Sequence, residues 1–132
     1  MIHASVFMRR AFLLDTITSS MMALLLIFGA GELAPLFNLP EDMLRETGLV
    51  LIAYTALVGW LATRQSMPKA LVLSVIAINA AWTVASIALL FSGAVTANGL
   101  GQIFIAGQAI VPGALAELQY IGVRRSSDAL AA

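Results

Sequence analysis

Apolar residues fall into four long runs along this chain, and polar residues collect in the short gaps between them. The first run, AFLLDTITSSMMALLLIFGA, covers about residues 11–30. The second covers about 44–63 around LVLIAYTALVGWLA, the third about 70–91 and the fourth about 100–121. Each is close to the roughly 20 residues that an α-helix needs to cross a bilayer's hydrocarbon core. None shows the regular apolar–polar alternation of a membrane strand. The pattern predicts an all-α fold: an integral membrane four-helix bundle, up-down-up-down, with residues 1–132 as a single four-span domain.

The gaps carry local stop signals. Pro35, Asn38 and Pro40 are expected to break the chain after the first span, because proline lacks a backbone donor and restricts the residue before it. Pro68 suits the start of the third helix, where an N–H has no intrahelical partner in any case. Asn98 or Thr96 is placed to cap the fourth. Positive charge orients the bundle. Arg9, Arg10, Arg64, Lys69, Arg124 and Arg125 share one side if the chain crosses four times, and only Arg45 lies on the other, beside Glu32, Glu41, Asp42 and Glu46. Lys and Arg concentrate on cytoplasmic loops, so both termini are expected in the cytoplasm and the protein in a bacterial inner (cell) membrane. The first span exceeds the roughly 7–15 residue apolar region of a cleaved leader and carries Asp15 near its start. We expect it to remain as an uncleaved anchor.

Composition sharpens the class. Hydrophobic residues make up 61% of the 132 and charged ones 11%, against roughly 45–50% and about 25% in soluble domains. Seven basic residues balance seven acidic ones, leaving no excess charge to neutralise a nucleic-acid backbone. The absence of cysteine excludes disulfides, thiolate metal sites and thiol nucleophiles. His3 is the single histidine and lies outside every span, so no metal or cofactor site is expected within one chain.

Polar groups inside the spans are the candidates for function, since burying them in hydrocarbon is costly. Asp15 and Glu117 fall one or two helical turns from the basic end and share a similar depth. They read either as a proton- or cation-linked site at the mouth of a cavity, or as interfacial carboxylates paired with Arg9, Arg10 or Arg124. Thr16, Thr18, Ser19 and Ser20 make the same part of the first helix polar, so it should face protein. In the third span a 3.6-residue period sets Val75, Asn79, Trp82 and Ser86 along one stripe. Asn79 is expected to bond across to Gln108, with Gln102 nearer the opposite surface. Trp82 either lines a ligand cavity or packs in the core. Pro112 beside Gly113 should bend the fourth helix and free a carbonyl near Gln108. Ala77, Ala81 and Ala85 repeat every four residues, a small-residue ridge suited to close helix association.

A weak repeat relates ALLLIFGAGELA at the end of the first span to IALLFSGAVTAN at the end of the third, as in duplicated hairpins. No HExxH, GxSxG or phosphate-binding glycine motif is present. The acidic cluster at Glu32, Glu41, Asp42 and Glu46 is accounted for by surface solvation. In size and span number the chain resembles the small multidrug carriers, which work as dimers. That family's membrane-centred glutamate in the first helix has no counterpart, because Asp15 lies near the inner end and Met21 through Leu26 are uncharged. The expectation is a non-enzymatic membrane protein, in contact with lipid, that acts by helix association as a homo-oligomer or with a partner membrane protein. The alternative is a small carrier or binder of an apolar or weakly polar ligand.

Overall fold

The computed structural model describes residues 2–131, with side chains through Arg125. Four long helices follow one another: α1 (Val6–Phe37), α2 (Glu41–Ala62), α3 (Lys69–Ser92) and α4 (Gly99–Ala131). All four contain windows apolar enough to cross a membrane. Close backbone approaches join α1 to α2, α3 to α4 and α1 to α4, so two antiparallel hairpins meet along α1 and α4. No comparable approach joins α2 to α3 or α1 to α3.

The helices are apolar nearly all round, as membrane spans must be. Phe12, Leu26, Val58, Leu61, Val72 and Val75 form part of a fully buried core, whereas Phe28, Val84, Phe91, Ile103 and Ile110 face outward. Helix ends overrun the apolar runs. α1 continues through Pro35, expected to break it, and stops at Asn38 in the left-handed conformation (φ 54°). Proline forfeits one hydrogen bond to the turn before it, and in the last turn of a helix that loss does not prevent continuation. α4 likewise runs on through Pro112. Asn98 caps α4 by accepting from the Gly101 N–H at 2.8 Å, and α3 ends at Gly93 with φ 75°.

Each end of the bundle is tied. At the basic end, β1 (Ile2–His3) pairs antiparallel with β2 (Ser66–Met67), Ile2 opposite Met67 and His3 opposite Ser66. The guanidinium of Arg125 lies 4.6 Å from the centre of the Phe7 ring. At the opposite end, the Asn98 amide donates to the Leu36 carbonyl at 2.8 Å and the Asn98 backbone N–H to the Phe37 carbonyl at 3.2 Å. Phe37 and Phe104 stack with ring centres 4.9 Å apart. At Gly48, α2 packs tightly on α1. A Cβ there would lie 2.9 Å from Ile27 Cγ1, 3.0 Å from Leu26 Cβ and 3.1 Å from the Ala23 carbonyl.

Gly48→Val should therefore destabilise the protein by about 1–3 kcal/mol, the usual cost of overpacking. Gly99→Ala, whose new methyl meets nothing within 4 Å, should stay within about 0.5 kcal/mol of the parent. Thermal unfolding of the two purified variants checks this, and equal stability would mean that the helices do not need this close approach.

Candidate functional site

Asp15 is fully buried, two and a half turns into α1, and every helix supplies a group that donates to its carboxylate. From α1 itself, the Ser19 hydroxyl donates to Oδ1 at 2.9 Å. From α2, the Tyr54 hydroxyl donates to Oδ2. From α3, the Asn79 amide donates to Oδ2 at 3.1 Å, and also to Gln119 Oε1 at 3.0 Å. From α4, the Gln119 amide donates to Oδ2 at 2.7 Å. Four neutral donors hold the carboxylate, three meeting at Oδ2 and one at Oδ1, so of its roughly four acceptor positions one on Oδ1 is left over. No basic side chain pairs with it: among the described residues the one ion pair is Arg45 with Glu41, far away at the acidic end.

The neighbouring hydroxyls of α1 turn inward on their own helix. Thr16 donates to the Phe12 carbonyl, Thr18 to Leu14 and Asp15, and Ser20 to Ile17. Hydroxyls in a helix satisfy themselves this way without a partner. Ser19 is the exception, held to the carboxylate one turn before it. Among the described residues, Thr55 Oγ1 is the buried side-chain polar atom left without a partner.

A cavity of about 610 Å³ opens beside the network. Asp15, Ser19, Tyr54 and Asn79 stand at its polar end, Met22, Phe104 and Leu115 give apolar walls, and the exposed Met21, Leu25 and Ile103 border its open, outward side. A second polar station is set by Trp82, whose indole N–H donates to Gln108 Oε1 at 3.1 Å. Pro112 also lines the space, and in the turn it loosens the Thr83 hydroxyl donates to the Ala109 carbonyl at 2.8 Å. Gly113 packs on that same threonine, and Gly101 packs on the Phe37 carbonyl. Gly107 lines the cavity, and a Cβ there would meet nothing within 4 Å. These three glycines serve three different purposes.

The positions singled out in the sequence thus divide. Asp15, Asn79, Trp82 and Gln108 come together around the cavity, and Ser86 is buried on the same side of α3. Asn79 bonds Asp15 and Gln119 where a bond to Gln108 was expected, and Gln108 takes Trp82 instead. Asn79 and Gln108 sit at different heights along the cavity, which only the relative sliding of α3 and α4 determines. Glu117 points to the exterior, while Gln119, two residues on, is fully buried. Gln102 is exposed and donates to the Ala97 carbonyl of its own segment at 3.3 Å. Ala77, Ala81 and Ala85 are exposed on the outer face of α3. Arg124 lies 6.0 Å from the Tyr120 ring centre and reaches neither Asp15 nor Glu117 as an ion pair.

Sequence reasoning passed over Tyr54 and Gln119. Helical spacing contains both. Gln119 follows Gln108 by eleven residues, about three turns, on the same face. Tyr54 belongs to the buried stripe Leu44, Leu51, Tyr54, Val58 and Leu61. No family model, curated protein or solved structure matches the chain.

Gln119→Leu should lower stability by about 1–2 kcal/mol, because it removes one donor from a buried carboxylate and the acceptor of Asn79. Glu117→Gln should change it by less than about 0.5 kcal/mol. Unfolding titrations of both variants in the same detergent test the contrast, and a larger loss from Glu117→Gln would misplace the network.

Proposed function

We propose that this is a non-enzymatic membrane protein that binds a small, largely apolar ligand within the bilayer and holds it between its two helical hairpins. One observation carries this reading: the roughly 610 Å³ cavity is bordered by Asn79, Trp82, Gln108 and Asp15 together. Small-molecule sites typically occupy about 300–1,000 Å³, with apolar walls and a few converging polar groups. The arrangement around Asp15 supports a binding role over a catalytic one. Amide and hydroxyl donors hold it, three on Oδ2 and one on Oδ1, and among the described residues no ion-pair partner stands beside it to form a paired acid and base. The six-to-one split of basic residues supports a cell-membrane setting with both termini on the cytoplasmic side.

A Trp60→Phe background leaves Trp82 as the one indole of the two in the chain. In lipid nanodiscs, N-phenyl-1-naphthylamine should quench Trp82 saturably. Gly107→Leu, which adds bulk at a cavity-lining position where a Cβ meets nothing within 4 Å, should weaken that binding by about tenfold or more, since the leucine displaces the ligand's contacts. Equal quenching in both proteins would remove the binding reading.

A second reading, association through α3, is favoured by the outward exposure of Ala77, Ala81 and Ala85. Small residues on a lipid-facing ridge let two helix backbones approach closely. With no native cysteine present, Ala81→Cys reports on this directly. Oxidation in membranes should give a disulfide-linked homodimer, while the same substitution at outward-facing Ile110 should not. Equal cross-linking at both positions would reduce it to random collision.

A further inference from the structure

The carboxylate of Asp15 gives the cavity an electrostatic preference that its walls do not have by themselves. We infer that the occupant is an amphiphilic monocation, with an ammonium head at the Asp15 end and an apolar body among Met21, Leu25, Ile103 and Phe104. This rests on the cavity being a binding site, as proposed above, and specifies what that site selects.

Three observations converge on a cation. Asp15 is fully buried and borders the cavity, and among the described residues no arginine, lysine or histidine forms an ion pair with it. The basic residues nearest in sequence, Arg9 and Arg10, lie on exposed faces of α1, and Arg124 and Arg125 sit over aromatic rings. A buried ion carries a large desolvation cost unless an opposite charge lies close by. Second, the four donors hold the carboxylate without cancelling its charge, because every one is neutral. Three meet at Oδ2 and one at Oδ1, so an acceptor position on Oδ1 remains and a ligand head need not displace any of them. It needs only to enter the low-dielectric space beside them, where charges interact far more strongly than in water. Third, Tyr54, Trp82 and Phe104 all line the cavity, and aromatic rings attract ammonium groups. An anionic head would meet the carboxylate's repulsion, and a neutral one would leave its field unused.

The test uses three probes with one apolar body, namely 4-phenylbutylammonium, 4-phenylbutan-1-ol and 4-phenylbutyrate, titrated calorimetrically into the full chain in zwitterionic phosphatidylcholine nanodiscs. Empty nanodiscs give the partitioning baseline. The ammonium should bind about tenfold or more tightly than the alcohol, and the carboxylate most weakly. In Asp15→Asn the ratio of ammonium to alcohol affinity should fall to about one. The order of the three probes on the parent protein is decisive even if Asp15→Asn does not fold. Alcohol binding equal to or tighter than ammonium binding, still abolished by Gly107→Leu, overturns the preference for a cation and leaves the cavity as a neutral-ligand site. Failure of all three probes to bind in a Gly107-sensitive way overturns the binding reading itself.

Discussion

A single buried carboxylate organises this bundle. Lipid offers a polar group nothing to bond with, so an aspartate in the membrane either finds donors within the protein or destabilises the fold. Asp15 finds them on all four helices. Apolar contacts between membrane helices are weakly directional, because a leucine packs about as well against a lipid tail as against another leucine. A carboxylate that must meet Tyr54, Asn79 and Gln119 at hydrogen-bond distance is directional. It sets the rotation of each helix about its axis and the height of each relative to its neighbours.

The network also explains why a cavity survives beside it. The two hairpins are joined along α1 and α4 and tied at both ends. The short β1–β2 pair holds one end, and the Phe37–Phe104 stack with the Asn98 bonds holds the other. Between these ties α2 and α3 make no close backbone approach to each other, and Tyr54 and Asn79 reach inward from them to the same Asp15. The space left over runs from the polar network past the Trp82–Gln108 pair into apolar walls. Gly107 borders it without adding a side chain. Polar satisfaction at one end and missing bulk at the other thus produce a cavity with a direction.

The outward surfaces follow from the same solvent. The external face of α3 presents the alanine ridge and that of α4 presents Ile103 and Ile110. A water-soluble bundle could not leave such faces uncovered. In a bilayer they are the ordinary boundary of the fold, and the smooth alanine ridge differs from its surroundings in shape more than in polarity.

Much of the architecture was legible in one dimension. Long uninterrupted apolar runs specify membrane helices because the bilayer is thick and every backbone group within it must be satisfied by the helix itself. The alternation of basic loops then gives an even number of crossings. The costly positions Asp15 and Asn79 also stood out, because a polar side chain in an apolar run is conspicuous. Gln119 did not, since near a span's end a glutamine reads as interfacial, and Tyr54 did not, since an aromatic ring in mid-span reads as ordinary apolar packing. Their role depends on which way each helix faces. Composition and spacing therefore determined the solvent, the helices and the presence of buried polar groups. Tertiary structure alone decided which of those groups meet, that Glu117 faces out while Gln119 faces in, and that a cavity lies beside them. Those outcomes arise from rotations and shifts between helices, and hydropathy along a chain contains no record of either.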